Sequence, residues 1–170
     1  MAMRVATGKP IYIYSGPIRS GKTTALMNWL AGKDNVAGIL TPEVNGIRKL
    51  YDIAAREFFP FQAERESTAG EDQVTIGRFT FYQSAFARAR LLLGAALKEH
   101  PRWLIIDEIG PLELNNHGFE PLVSQIICAF QADKFAGDLL LVVRDTLLEE
   151  VVSHYHIALY KLFDFGRQNQ

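Results

Sequence analysis

The hydrophobic positions of the chain follow two different periods. Four apolar runs, taken with the turn residues that bound them, lie at 10–16, 35–43, 103–110 and 138–146, and each predicts a buried strand. Apolar residues recur with helical spacing over 22–33, 83–99 and 118–133. Strands that are apolar on both faces and alternate with helices are typical of parallel sheets. The pattern therefore predicts an α/β fold with a twisted, mainly parallel sheet flanked by helices.

The segment 46–83 has a different sequence pattern, because residue types alternate along short stretches of it. This alternation predicts an added antiparallel hairpin or meander against an edge of the main sheet. A polar stretch from Ser67 to Asp72 is predicted to be a loop. The C-terminal stretch "YKLFDFGRQNQ" is predicted to supply one last short strand. No repeat or long linker interrupts the chain, so we expect residues 1–170 to form a single domain.

Composition narrows the classes of partner. The chain has 18 Lys and Arg against 19 Asp and Glu, a net charge of -1, so neither nucleic acid nor a membrane surface is an expected partner. No signal-like start and no apolar run of about 18 residues is present. The single cysteine, Cys128, cannot form an internal disulfide, and its apolar surroundings predict a buried, inert thiol. These features predict a cytoplasmic protein.

The junction between the first strand and the first helix carries the strongest chemical signal. Residues 16–23, "GPIRSGKT", satisfy the Walker A pattern G-x-x-x-x-G-K-[ST] between a predicted strand and a predicted helix. Such a loop directs backbone N–H groups and a helix N-terminus at phosphates. Lys22 is expected to reach the β- and γ-phosphates, and the Thr23 hydroxyl to hold Mg²⁺. The alternative is an ordinary turn with Lys22 solvated. The predicted nucleotide-binding residues are Gly16, Pro17, Ile18, Arg19, Ser20, Gly21, Lys22, Thr23 and Thr24.

Two adjacent acids, Asp107 and Glu108, follow the apolar run of the third strand. Alone they would indicate an exposed turn, but together with the phosphate loop they match the place of a metal-organising acid. Adjacent strand residues point to opposite faces, so we expect different roles for them. Asp107 is assigned to Mg²⁺ through its water shell. Glu108 is assigned to orienting or deprotonating the attacking water, which favours hydrolysis over transfer to an acceptor.

Two further residues lie at the same predicted edge of the sheet. Arg144 closes the fourth strand and is expected either to stabilise charge on the γ-phosphate during catalysis or to form a plain surface ion pair. Glu43 follows the second strand and is expected to position water or metal, or to be an ordinary turn acid. The catalytic set predicted from the sequence is therefore Lys22, Glu108 and Arg144.

Other polar and aromatic clusters carry weaker signals. His154 and His156 would share one face of a strand, but without a third ligand they indicate a surface or core pair more than a metal site. The aromatic stretch "FFPF" at 58–61 is expected to be core, with stacking on a base or a partner as the alternative. Arg78, Arg88 and Arg90 are expected to be solvated helix charges.

Four segments, in this order along the chain, resemble one family: "GKTT", "GILTPEV" at 38–44, "IGRFTF" at 76–81 and "IDEIGPLEL" at 106–114. They are similar to the small P-loop nucleoside-triphosphatases related to the human cancer-related nucleoside-triphosphatase and its archaeal and bacterial relatives. The resemblance covers about residues 11 to 147. It implies a RecA-like sheet, hydrolysis with little base discrimination, and the roles given above for Lys22, Thr23, Asp107 and Glu108. Arg19 and Leu50 stand where the family usually has glycine.

The expected function is Mg²⁺-dependent hydrolysis of a nucleoside triphosphate, ATP or GTP, to the diphosphate and phosphate. One alternative is a P-loop phosphotransferase, which needs an arginine-rich lid that the acidic and polar stretch 64–72 does not supply. Another is a nucleotide-dependent interaction module with slow hydrolysis. A protein partner, a homo-oligomer, and a catalytic arginine from this chain or another all stay open.

Overall fold

The computed structural model of the chain describes residues 8–64 and 72–167. Its strands are β1 (Ile11–Gly16), β2 (Val36–Leu40), β3 (Glu43–Val44), β4 (Ile47–Asp52), β5 (Glu57–Pro60), β6 (Gln73–Ile76), β7 (Phe79–Tyr82), β8 (Trp103–Ile109), β9 (Asp138–Arg144) and β10 (Tyr160–Leu162). Its α-helices are α1 (Lys22–Leu30), α2 (Gln83–Glu99), α3 (Pro111–Leu114), α4 (Leu122–Gln131) and α5 (Leu148–His154). Single 3₁₀ turns lie at Asp145–Leu147 and Phe165–Arg167.

The main sheet is built around a parallel centre. Its strand order is β10-β1-β9-β8-β2-β4-β3, and every pair from β10 to β2 is parallel. The four apolar runs of the sequence supply β1, β2, β8 and β9, and β10 is the predicted last short strand. The carboxyl ends of parallel strands lie at one edge of the sheet, so the residues after β1, β2, β8 and β9 come together.

An antiparallel part extends the sheet beyond β2. There β4 pairs with β2, β3 and β5, and β6 pairs with β7 in a separate hairpin. An isolated bridge between Gln62 and Phe81 ties this hairpin to the chain after β5. The predicted fold class, with its added antiparallel hairpin, is confirmed. The loop predicted at Ser67–Asp72 lies outside the described residues except for Asp72, which is in neither a helix nor a strand.

Two predicted helices have different bounds in the structure. Helix α1 ends at Leu30 because Ala31 has a ψ of 121° and Gly32 a φ of 79° in the left-handed region, which glycine adopts at low cost. Helix α4 begins only after Pro121, because proline lacks the N–H that the interior of a helix requires. Residues 118–121, which the sequence predicts as the first turn of this helix, form a non-helical turn, and the short helix α3 lies before them.

The central strand β8 shows how the two faces of the sheet are buried. Leu104 and Ile106 face a large apolar cluster with α2 and α4. Trp103 and Ile105 face a second cluster, which includes Leu26 of α1. This alternation follows from the period of two in a strand. Each fully buried aliphatic side chain of this kind stabilises the fold by roughly 1.5–3 kcal/mol, so β8 is held firmly between the two layers.

The second cluster is rich in aromatic rings. The ring centroid of Trp29, on α1, lies 5.3 Å from that of Trp103 and 5.2 Å from that of Phe163. The Tyr12 ring of β1 lies 5.3 Å from Trp103. These contacts pack α1 against the sheet, which fixes the position of its first residue, Lys22.

Two sequence predictions about single residues are wrong. Cys128 is exposed, because it lies off the apolar stripe of α4 that Val123, Ile126 and Phe130 form. His154 ends helix α5 and His156 has a left-handed φ of 49° in the following loop, so the pair does not share a strand face. Across 8–64 and 72–167, no helix is both long enough and apolar enough to cross a bilayer.

Candidate functional site

The glycine-rich loop joins the end of β1 to the start of α1 and encloses its own lysine. The Lys22 Nζ donates to the carbonyl oxygens of Gly16 at 3.0 Å and Pro17 at 2.7 Å, and lies 3.4 Å from the Ser20 hydroxyl oxygen. The residue is only 7% exposed. Gly21, directly before the helix, has a φ of 80°, which favours glycine there. The ammonium group is thus held at the centre of a turn whose main chain bends around it.

Arg19 adopts a conformation that most residues avoid. Its φ is 56°, in the left-handed region, and its side chain is exposed. A non-glycine residue held there costs on the order of 1–3 kcal/mol. The loop therefore keeps the backbone conformation that glycine would adopt freely, and carries an arginine at its tip.

The hydroxyl at the start of α1 is bonded to the buried acid of β8. Thr23 Oγ1 donates to Asp107 Oδ2 at 2.8 Å, and the backbone N–H of Thr41, after β2, donates to the same oxygen at 3.2 Å. Asp107 is 1% exposed. Three segments that are distant in sequence therefore meet at one carboxylate oxygen.

Burial raises the pKa of Asp107 to about 6. The bonds from Thr23 and Thr41 and the charge of Arg48 lower the pKa, and the nearby Glu108 raises it, but desolvation is the largest effect. The two hydrogen bonds and the charge of Arg48 offset only part of the cost of burying this carboxylate. An added cation would therefore stabilise its ionised form. The donors present, one carboxylate and one hydroxyl, fit Mg²⁺, which is usually bound by few protein oxygens together with waters and phosphate oxygens.

Glu108 has a separate partner from its neighbour. Arg144 Nε, at the end of β9, donates to Glu108 Oε1 at 2.7 Å, and both side chains are partly exposed. The pairing of β8 with β9 shifts register between Ile106 and Ile109, an irregularity of the kind that re-aims side chains beside functional sites. The two adjacent acids thus contact different groups, as the sequence predicts.

A third acid, Glu113 on α3, was missed by sequence reasoning. It is 3% exposed, and its carboxylate accepts the backbone N–H groups of Gly110 at 3.0 Å and Phe119 at 3.1 Å. Burial raises its pKa to about 7 against the effect of these bonds. The signal in the sequence was a glutamate three residues after Gly110, which precedes a proline. At this spacing a glutamate side chain reaches back to the backbone at the start of a helix. Its bonds hold the turn that follows β8.

A cavity of about 440 Å³ adjoins the loop and the acids. Its apolar walls come from aromatic residues of several elements: Phe61, Phe79, Phe81, Phe86 and Phe119. Its polar lining includes the charged residues around them: Arg19, Glu43, Arg48, Arg78, Glu108, Glu113 and Arg144. The sequence predicts that Glu43, Glu108 and Arg144 share one edge of the sheet, but no local pattern adds Arg78 or the aromatic residues, which come from other parts of the fold.

The aromatic and arginine predictions have mixed outcomes. Phe61 is buried in the core as expected, whereas Phe58 is 50% exposed. The interpretation of the arginines as solvated helix charges is wrong for Arg78, which lies in the turn between β6 and β7 and lines the cavity. It is also incomplete for Arg90, which donates to the carbonyl oxygen of Gly118 at 2.7 Å, and for Arg88, which lies 4.1 Å over the Phe59 ring.

The arrangement of a glycine-rich loop after β1, a buried acid at the end of β8 and a mainly parallel sheet matches a known family. A family model described as NTPase matches residues 11–168. The chain belongs to this NTPase family. It is accordingly a nucleoside-triphosphatase, and the resemblance noted in the sequence is confirmed.

Two solved structures resemble this NTPase over nearly its whole length. The crystal structure of THEP1 from the hyperthermophile Aquifex aeolicus superposes with a TM-score of 0.69 at 20% identity, covering 95% of this chain and 92% of that one. The solution structure of a human cancer-related nucleoside triphosphatase superposes with a TM-score of 0.56 at 20% identity, covering 95% and 93%. At this identity the likeness shows the fold, which is that of P-loop NTPases. Comparison with curated proteins finds no match.

Proposed function

We propose that this nucleoside-triphosphatase hydrolyses ATP or GTP in a Mg²⁺-dependent reaction, with little discrimination between bases. The observation that carries the proposal is the 2.8 Å bond between the Thr23 hydroxyl and buried Asp107. It joins the start of the phosphate loop's helix to an acid at the carboxyl edge of the sheet, the arrangement that Mg²⁺ at a P-loop requires. The proposed base tolerance comes from the family resemblance, and a reducing compartment such as the cytoplasm fits the single cysteine.

The triphosphate is proposed to bind in the loop formed by residues 16–24. The Lys22 ammonium would exchange its carbonyl partners, Gly16 and Pro17, for β- and γ-phosphate oxygens. Backbone N–H groups at the start of α1 supply further donors, and the positive end of the helix favours an anion there. Because the loop already places the lysine at its centre, the side chain needs little rearrangement to meet phosphate.

Thr23 and Asp107 are the proposed holders of Mg²⁺, Thr23 directly and Asp107 through water. When bound, the ion would neutralise charge on the β- and γ-phosphate oxygens. Asp107 must be ionised for this role, so its raised pKa ties metal binding to pH. Thr41 orients the carboxylate through its backbone N–H and is a positioning residue.

Glu108 is the proposed general base and Arg144 the proposed source of positive charge in the same chain. The water oxygen forms a new bond to the γ-phosphorus, and a proton of this water passes to the Glu108 carboxylate. The bond between the γ-phosphorus and the oxygen that bridges it to the β-phosphate breaks, and its electron pair leaves with the diphosphate. Arg144 already holds Glu108 at 2.7 Å, so its guanidinium lies where it can orient the base and stabilise charge that develops on the γ-phosphate.

Phosphate release from ATP, GTP, CTP and UTP, with and without Mg²⁺, tests the proposal. Glu108→Gln should lower kcat by about 10²–10⁴-fold with nucleotide affinity kept, because it removes only the base. Lys22→Ala should lose affinity as well as turnover. Lys98→Ala and Glu99→Gln are matched controls, since both residues are exposed at the end of α2. Wild-type rates in Glu108→Gln or Lys22→Ala would overturn the role of that residue, and full activity without a divalent ion would overturn the metal dependence.

A further inference from the structure

The cavity beside the acids is far larger than hydrolysis needs. On the same measure of volume, a cavity that holds one attacking water needs about 10–15 Å³, whereas this cavity measures about 440 Å³. Sites for organic ligands typically lie between about 300 and 1,000 Å³ and are mostly apolar with a few polar groups. The cavity has that size and that composition.

The cavity lies on the side of the loop where the γ-phosphate is proposed to sit. It is lined by Ile18 and Arg19 at the tip of the loop and by Thr41 and Glu108 beside the metal-binding acid. The ribose that carries the base of a nucleotide is joined to the α-phosphate, at the opposite end of the triphosphate. The base of the hydrolysed nucleotide therefore does not fill this space. This step rests on the proposed function, because it uses the proposed placement of the triphosphate.

The walls of the cavity suit a flat ring. The Phe61 centroid lies 4.8 Å from that of Phe81 and 5.1 Å from that of Phe86, and Phe119 stacks near Phe61 at 6.4 Å. These rings pack on one another as one cluster, and the aromatic faces and edges that the cluster presents to the cavity favour a planar ring. At the mouth, Arg78 lies 4.9 Å over the Phe79 ring, so a planar ligand meets both an aromatic side chain and a guanidinium.

The charge of the lining suits an anion. Within residues 8–64 and 72–167, no carboxylate lies at ion-pair distance from Arg19, Arg48 or Arg78. Glu108 is already paired with Arg144, and Glu113 is bonded to backbone N–H groups. Among the lining residues that the structure describes, Glu43 is the carboxylate that remains, so cationic side chains are in excess there. Guanidinium groups bind phosphate and carboxylate in paired hydrogen bonds.

We propose that this cavity binds a second small molecule, a planar and anionic compound with the chemistry of a nucleoside monophosphate, beside the γ-phosphate of the bound triphosphate. The ring would lie against the wall that the phenylalanines form, and the anionic group against Arg78 and Arg48. Because the bound molecule fills the space next to Glu108, it displaces attacking water. Its occupancy should therefore lower kcat for hydrolysis and leave the KM for the triphosphate unchanged.

Calorimetry on the full chain tests binding in two steps. First, the non-hydrolysable ATP analogue AMP-PNP is titrated with Mg²⁺; if it does not bind, the proposed function fails and this inference falls with it. Second, AMP, GMP, CMP and UMP are titrated into the AMP-PNP-saturated protein, with adenosine and inorganic phosphate as the ring alone and the anion alone. We expect one monophosphate to bind saturably, at least about tenfold more tightly than either comparator. If AMP-PNP binds but no monophosphate saturates at 10 mM, which is roughly the weakest binding that such a titration detects, the inference alone is overturned.

Arg78→Ala and Arg88→Ala form a matched pair, because both are exposed arginines over a phenylalanine ring and only Arg78 lines the cavity. Arg78→Ala should weaken monophosphate binding by about five- to tenfold through loss of a charged hydrogen bond, while Arg88→Ala should not. In steady-state kinetics, Arg78→Ala should relieve the inhibition with its basal kcat unchanged. Inhibition that raises KM and spares kcat would place the monophosphate in the phosphate loop and overturn the assignment.

Discussion

The buried acid Glu113 makes a quantitative prediction about stability and pH. Its pKa is about 7 in the folded protein, raised by burial from 4.5. The folded state therefore holds a proton that the unfolded state has already lost between these two pH values. The contribution of this protonated side chain to the free energy of unfolding is complete below pH 4.5 and is lost as the pH rises to about 7. A difference of roughly 2.5 pKa units corresponds to about 3 kcal/mol.

The substitution Glu113→Gln isolates this effect. Glutamine keeps the size of the side chain and stays neutral, so this contribution to the pH dependence disappears. The amide NH₂ cannot accept one of the two backbone N–H groups, which costs about 1–3 kcal/mol. The variant should therefore be less stable than wild type near pH 4.5, and the two free energies of unfolding should converge or cross by pH 8. Glu99→Gln, at an exposed position, is the control and should keep the wild-type slope.

The assay is urea unfolding of the ligand-free protein at pH values from 4.5 to 8. Burial raises the pKa of Asp107 and Asp138 as well, so the wild-type slope contains several groups of the same sign. The difference between wild type and Glu113→Gln removes these shared contributions. At about 2–4 °C per kcal/mol for a domain of this size, melting temperatures should show a relative shift of roughly 6–12 °C across the range. Parallel stability profiles for the two proteins between pH 5 and 7 would refute the reasoning.

Three further predictions concern the site and its supporting strand. Because the pKa of Asp107 is about 6 before a cation binds, Mg²⁺ titrations of phosphate release should show weaker apparent metal affinity at pH 5.5 than at pH 8; equal affinity would contradict its role. Arg144→Ala should lower kcat by about 10–10³-fold with KM nearly unchanged, since it frees Glu108 and removes transition-state charge, and an unchanged kcat would reduce the pair to a surface contact. Gly38→Ala should destabilise the fold by roughly 2–5 kcal/mol in urea unfolding, since its φ of 116° and the backbone of Ile105 leave no room for a Cβ; wild-type stability would show that β2 can shift.

The sequence predicted those parts of the molecule that depend on local pattern. The apolar runs became β1, β2, β8 and β9, because strands buried on both faces need few polar residues. The spacing of Gly16, Gly21, Lys22 and Thr23 defined the loop, since the backbone must bend and the lysine must follow it. Asp107 and Glu108 were expected to act separately, and their different hydrogen-bond partners agree with that expectation. The catalytic roles themselves stay predictions.

Features that depend on how distant segments pack were not predictable. The cavity joins residues from the phosphate loop, the hairpin β6–β7 and the turn after β8, and no local pattern links these segments. Cys128 was misjudged from its apolar neighbours; the buried positions 123, 126, 127 and 130 on α4 would have placed it off the stripe once helical spacing was applied. The two histidines were misassigned because a strand was assumed where α5 ends.

The packing of Trp29 against Trp103 gives the molecule an intrinsic optical reporter. These are the two tryptophans of the sequence, and their ring centroids lie 5.3 Å apart. Trp29 is on the same helix that begins at Lys22, whereas neither indole lines the cavity. Fluorescence emission from these two tryptophans should therefore change when a ligand moves α1. It should not change when a ligand fills only the cavity. The two kinds of occupancy can be followed separately without attaching a dye.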